Sequence, residues 1–150
     1  MRPSKWLLFA TLPMIGAVGL TAQQPKTYRA RLSPVPIDVS MQATIAGSGS
    51  VTAVLTGAKL TLTGTFDGLK SPATIAQIHK SPVRGVRGPN VLDLAVSKTD
   101  AVSGTISGSF DLTAIQIADL EKGRLYVQLH SEKAPDGNLW GWLLSPENKR

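Results

Sequence analysis

A chain of 150 residues without a cysteine has room for one domain, and its stability must come from the core alone. An apolar fraction of 42% and a net charge of +6 exclude a disordered chain. The missing cysteine excludes thiol catalysis, Cys-based metal centres and a lipid-anchored export form, whose anchor needs a cysteine at the cleavage point.

The first twenty-two residues have the layout of a secretory signal. Arg2 and Lys5 form a charged start, Trp6 to Leu20 is apolar, and Thr21-Ala22 is a small-residue end. The apolar run falls short of the ~20 residues a membrane-spanning helix needs, and Pro13 and Gly16 interrupt it. Cleavage after Ala22 is expected, with an uncleaved anchor as the alternative. Residues 23–27 then form a polar leader, 28–145 the domain and 146–150 a polar tail. The product is expected to be periplasmic or secreted, with no stable membrane span after cleavage. Once Arg2 and Lys5 are set aside, the remaining excess charge is mild and scattered. It suits an anionic envelope surface better than a nucleic acid, so no nucleic-acid partner is expected.

Tyr28 to Ser33 alternates as a strand and stops at Pro34 and Pro36. Val39 to Ile45 reads as a short strand or loop, and Gly47-Ser48-Gly49-Ser50 as a turn. Val51, Ala53 and Leu55 share one face of the next strand. After a turn at Gly57-Ala58, Leu60, Leu62, Gly64 and Phe66 alternate with Thr61, Thr63 and Thr65. That period of two predicts a half-buried antiparallel hairpin with its threonines toward water. Strands follow at 73–79, 91–96, 104–112, 125–130 and 139–144, with a Pro-, Gly- and Arg-rich loop over 80–90. Thr113 with Gln116 forms a capping box, Leu112 with Ile117 a hydrophobic staple, and Gly123 a helix stop. They predict one short helix over about 114–122. The fold class is therefore all-β, an antiparallel immunoglobulin-like or Greek-key β-sandwich or barrel with that single helix.

Four blocks carry a resemblance to a family. They are Leu32-Ser33-Pro34-Val35-Pro36, the strand Leu60 to Phe66 with Asp67-Gly68-Leu69, Ala76-Gln77-Ile78-His79 with its loop through Gly88-Pro89, and the stretch Leu112 to Leu143. The last includes Gly123-Arg124-Leu125-Tyr126-Val127, His130 and Pro135-Asp136-Gly137-Asn138-Leu139-Trp140-Gly141-Trp142. In order and spacing they resemble the CHRD (chordin-type) domain, and in particular its small exported bacterial members. The resemblance implies an immunoglobulin-like barrel or sandwich that acts in binding, and it carries no catalytic residues. Three departures stand out. Gln77 replaces a histidine common in the family, Asn138 replaces a glutamate, and Trp140 and Trp142 replace polar residues.

His79 and His130 are the only histidines, each at a strand end on the face opposite the more apolar row. Imidazoles suit Cu or Zn, and Asp136 could add a third ligand, but two histidines make a poor tetrahedral shell. Trp140 and Trp142 share a strand face opposite Leu139, Gly141 and Leu143. Either row could face the core, and a loop could cover indoles that face outward. If the indoles face outward they form a partner surface together with Tyr126, Arg84 and Arg87. No nucleophile elbow and no acid–base carboxylate pair is present, so no enzyme and no cofactor is expected. The leading expectation is a non-enzymatic binding or envelope-associated module, its partner an unknown protein or envelope component. The alternative is a Cu- or Zn-binding or redox accessory protein using His79 and His130.

Overall fold

The computed structural model describes residues 23–98 and 100–149, so the expected signal segment lies outside the described residues. Among the described residues eight antiparallel strands follow one another: β1 (Lys26–Pro34), β2 (Ser48–Thr56), β3 (Lys59–Asp67), β4 (Ala73–Lys80), β5 (Asn90–Lys98), β6 (Gly104–Asp111), β7 (Leu125–Ser131) and β8 (Ala134–Trp142). They close into one barrel in the order β1-β2-β3-β6-β5-β4-β7-β8. The chain thus takes the barrel form of the expected class rather than two facing sheets. The run β3-β6-β5-β4 is a Greek-key arrangement, because β4, β5 and β6 meander and β6 returns beside β3.

The barrel follows from the period-two pattern. Leu60, Leu62 and Phe66 point inward and are buried, while Thr61, Thr63 and Thr65 are exposed. Tyr28, Ala30 and Leu32 of β1, Val51, Ala53 and Leu55 of β2, and Leu125, Val127 and Leu129 of β7 fill the same interior. Each fully buried Leu or Val stabilises the fold by about 1.5–3 kcal/mol before chain entropy is counted. The interior is therefore a packed core and not a pore.

The helix α1 (Ala114–Glu121) forms where the cap signals place it. Thr113 Oγ1 accepts from the Gln116 amide, and the Gln116 side chain accepts from the Thr113 amide. Gly123 stops the helix at φ +66. Leu120 is fully buried, and Ile117 packs on the same core.

Several local bounds differ from expectation. Of the strand and loop readings of Val39–Ile45 the loop holds: Ser40–Ala43 is a 3-10 turn held by Asp38, whose carboxylate accepts from the Met41 amide and the Ser40 hydroxyl. Ser48 to Ser50 extend β2, and only Gly47, at φ +108, turns. The first strand begins at Lys26, inside the polar leader, and Pro146–Lys149 in the tail is a 3-10 turn. Strand β8 begins at Ala134, five residues before its expected start, for a reason that shapes the outer face of the barrel.

Candidate functional site

Strands β7 and β8 form a hairpin with Glu132-Lys133 at the turn, since Ser131 pairs with Ala134. Pro135-Asp136-Gly137 looks like a turn in sequence, but it is absorbed inside β8. The register shifts between Leu129 and Ser131, and Gly137 adopts φ +124. Such a bulge bends the strand and frees backbone groups from the ladder. Here it aims the Pro135 and Asp136 carbonyls at side chains of β7: His130 Nδ1 donates to Pro135 O at 2.7 Å, and Gln128 Nε2 donates to Asp136 O at 3.1 Å. A Cβ on Gly137 would lie 2.6 Å from Gln128 Nε2, so glycine makes room for the contact as well as the turn.

The bulge sits on the outer face, opposite the core. Pairing His79 with Tyr126, Tyr126 with Trp142 and Gln128 with Trp140 brings the outer rows of β4, β7 and β8 together. The rings touch one another. His79 stacks on Tyr126 at 5.1 Å, Tyr126 on Trp142 at 4.9 Å, and Trp140 meets Trp142 edge-on at 4.7 Å. Aromatic pairs in such geometry contribute about 0.5–1.5 kcal/mol each beyond area burial. Val35, Ile45 and Ala134 join them in a second apolar cluster outside the barrel. Asn138 ties the β1–β2 connection down over it by donating to Ala46 O at 2.7 Å.

Two segments cover the cluster, the β1–β2 connection and the loop between β4 and β5. In that loop Gly88 donates its amide to Tyr126 Oη at 3.1 Å and accepts from His79 Nδ1 at 2.9 Å. Arg87 donates to the Asp136 carbonyl, and its guanidinium lies 5.9 Å above the Trp140 ring. The loop base is pinned by Lys80 N to Pro89 O at 2.9 Å and by Ser81 N to Arg124 O at 2.8 Å.

The sequence-predicted residues Trp140, Trp142, Tyr126, Arg87, His79 and His130 therefore form one patch, and Arg84 lines the groove beside the indoles. The indole row does face away from the core. Of the alternatives for an outward row, the covered one holds. Trp140 is only 9% exposed and Tyr126 1%, because Arg87 and the second apolar cluster cover them, while Trp142 is half-buried.

Both histidines donate Nδ1–H to a backbone carbonyl, which leaves each Nε2 as an acceptor. His130 Nε2 faces the Gln128 amide nitrogen at 3.3 Å, whereas His79 Nε2 is buried without a partner, as are Gln128 Oε1 and Trp142 Nε1. The ring centres of His79 and His130 lie 6.3 Å apart. Metal binding would call on these two Nε2 atoms. Among the described residues no group of three or more His, Cys, Asp or Glu side chains converges to hold an ion, and Asp136 meets Gln128 and Arg87 through its carbonyl. Burial holds His130 below the usual imidazole range. The Pro135 carbonyl pulls the other way, the neighbouring His79 and Arg87 push it further down, and Asp136 pulls it up.

Three contributors escape a reading of the sequence. Gln128 sits in the visible alternation of β7, but only the bulge gives it partners. Arg29 and Arg31 alternate with Tyr28 and Ala30 along β1. They reach Trp140 and Trp142 only because β1 closes the barrel against β8, through Ser33↔Trp140, Pro34↔Leu139 and the paired bonds of Arg29 with Leu144.

Residues 28–143 match the family model of the CHRD domain, which spans all eight strands and the patch just described. The chain belongs to the CHRD domain family. Comparison with curated proteins and with solved structures gives no match. The CHRD match begins two residues into β1 and ends one residue past β8, so it takes in all of the barrel but the first two residues of β1. Trp140, Trp142, Gln77 and Asn138 all lie within it.

Proposed function

We propose that this CHRD-domain protein is an exported, non-enzymatic binding module that engages an envelope component through the aromatic and arginine-bearing face of β1, β7 and β8. The observation that carries the reading is the half-buried Trp142 set beside the exposed Arg29 and Arg31 in one open groove, outside a barrel whose core is already complete. The covered rings of Tyr126 and Trp140 hold that indole in place, and an indole bordered by arginine has the composition of a binding hot spot. The histidines are engaged with backbone carbonyls rather than with a hydroxyl or thiol nucleophile, which supports binding over catalysis. The leader pattern of Arg2 to Ala22 supports export.

The test is capture from a solubilised envelope extract. The immobilised protein is expected to retain a component that Arg31→Glu releases. Lys59→Glu, at the exposed start of β3, is expected to leave it bound. Equal retention by both variants, or no retained component at all, would remove the support for this face.

A further inference from the structure

The indole pair forms one wall of an open groove of about 590 Å3 on the outside of the barrel. Arg29 and Arg31 of β1 line it, Arg84 reaches it from the covering loop, and Ser50 and Thr52 of β2 form the far side. Arg29 and Arg31 are exposed. Two positions apart on a strand, they leave the same face roughly 6.6 Å from each other. Among the described residues no carboxylate lines the groove. The ion pairs among the described residues join Lys26 to Glu121 and both Lys80 and Arg124 to Asp119, so neither Arg29 nor Arg31 is neutralised by one of them.

The groove does not end at β2. Ser50 and Thr52 also line a second depression, of about 360 Å3, whose other hydroxyls come from Thr63 and Thr65 of β3 and Thr105 and Ser107 of β6. A band therefore crosses the strands from indole through guanidinium to a lane of hydroxyls. Each part suits a different group of one ligand. Arginine takes a carboxylate, serine and threonine exchange hydrogen bonds with hydroxyls, and a half-buried indole covers the apolar face of a pyranose ring.

We infer that this band binds an acidic polysaccharide, with its carboxylates at Arg29 and Arg31 and its sugar hydroxyls along the threonine lane. The inference rests on the proposed binding role of this face and names the class of its ligand. Other polyanions fit less well. An acidic peptide docking as an added strand needs an open sheet edge, and the closed barrel presents none among its eight strands. A nucleic acid needs a broad positive field. Here the charge occupies one end of a band whose other end is neutral.

Calorimetric titration with polygalacturonate tests the inference, beside its fully methyl-esterified form and polyglutamate. Polygalacturonate is expected to bind, to change the tryptophan emission and to weaken with added salt. The ester, which lacks the charge, and polyglutamate, which lacks the sugar, are each expected to bind roughly tenfold more weakly. The same loss is expected for the Arg29→Ala, Arg31→Ala double variant. Thr63→Val with Thr65→Val, which keeps the strand preference and removes the hydroxyls, is expected to weaken binding several-fold. Equal affinity for polyglutamate overturns the sugar assignment, and equal affinity for the ester overturns the part given to arginine. Unchanged affinity in the valine variant removes the hydroxyl lane. If polygalacturonate fails to bind while Arg31→Glu still releases a captured envelope component, the ligand class is wrong and the surface stands. If neither effect is seen, both fall.

Discussion

His130 couples the outer patch to pH. Its ring is 7% exposed, and its neutral form is fixed between the Pro135 carbonyl on Nδ1 and the Gln128 amide on Nε2. Burial disfavours a second proton on the ring, and the neighbouring His79 and Arg87 disfavour it further. The folded pKa therefore lies below the unfolded value of 6.5, and the unfolded chain binds more protons in the window between them. Stability then rises with pH across that window and is lost as pH falls through it. The melting temperature is expected to drop between pH 7 and pH 5, and His130→Gln is expected to flatten that part of the profile. Scanning calorimetry at several pH values checks this. A wild-type profile that is flat, or a slope the variant retains in full, would rule out His130 as the sensor. At this scale the sequence was partly legible. The alternation of Tyr126, Gln128 and His130 against Leu125, Val127 and Leu129 places the ring on the outer face. The carbonyl that fixes its tautomer comes from a bulge that Pro135-Asp136-Gly137 does not announce, because the same three residues also make an ordinary turn.

The covering loop between β4 and β5 is the element that turns an outer strand face into a site. It is short of apolar side chains, and Val83 and Val86 are both exposed, so it is held by polar contacts at Gly88 and Ser81 rather than by burial. Gly88 allows this because a Cβ there would stand 1.8 Å from the Lys80 carbonyl oxygen, a contact with backbone that cannot be relieved by a rotamer change. Gly88→Ala is therefore expected to lift the loop, strip Tyr126 Oη and His79 Nδ1 of their partner, and cost roughly 1–3 kcal/mol. The barrel itself is expected to survive, since its interior cluster includes no residue of this loop among the described residues. Urea unfolding, far-ultraviolet circular dichroism and tryptophan emission together check this, with lower stability, an unchanged strand spectrum and red-shifted emission expected. Unaltered emission would show that the loop does not shield the indoles. The loop's existence was legible from its Pro and Gly content. Its fold back over β7 was not, because hydrogen bonds from Gly88 to residues on two strands leave no trace in local sequence pattern.

At the scale of the whole molecule, closure decides function. The alternation at the centre of each strand and the helix caps are local, and the sequence shows them, although it starts β8 five residues late. Which strand neighbours which is non-local, and the apposition of Arg29 and Arg31 with Trp140 and Trp142 depends wholly on it. The seam between β1 and β8 is the sparsest in the barrel, with Ser33 and Pro34 paired to Trp140 and Leu139 at one end and the Arg29–Leu144 bonds at the other. Between them the strands approach closely because of Gly141, where a Cβ would lie 2.4 Å from the Arg31 carbonyl oxygen and 3.1 Å from Leu32 Cδ2. Gly141→Val would force these backbones apart. An opened barrel exposes two strand edges with unpaired amides and carbonyls, which recruit further strands. The variant is expected to lose about 3 kcal/mol or more and to self-associate, with light scattering showing dimers or larger species at concentrations where the wild type is unassociated. It is also expected to lose the groove, since the indole wall belongs to β8 and the arginines beside it to β1. A Gly141→Val protein with wild-type stability and hydrodynamic size would mean that the seam tolerates separation, and the arginine–indole apposition would then need another support.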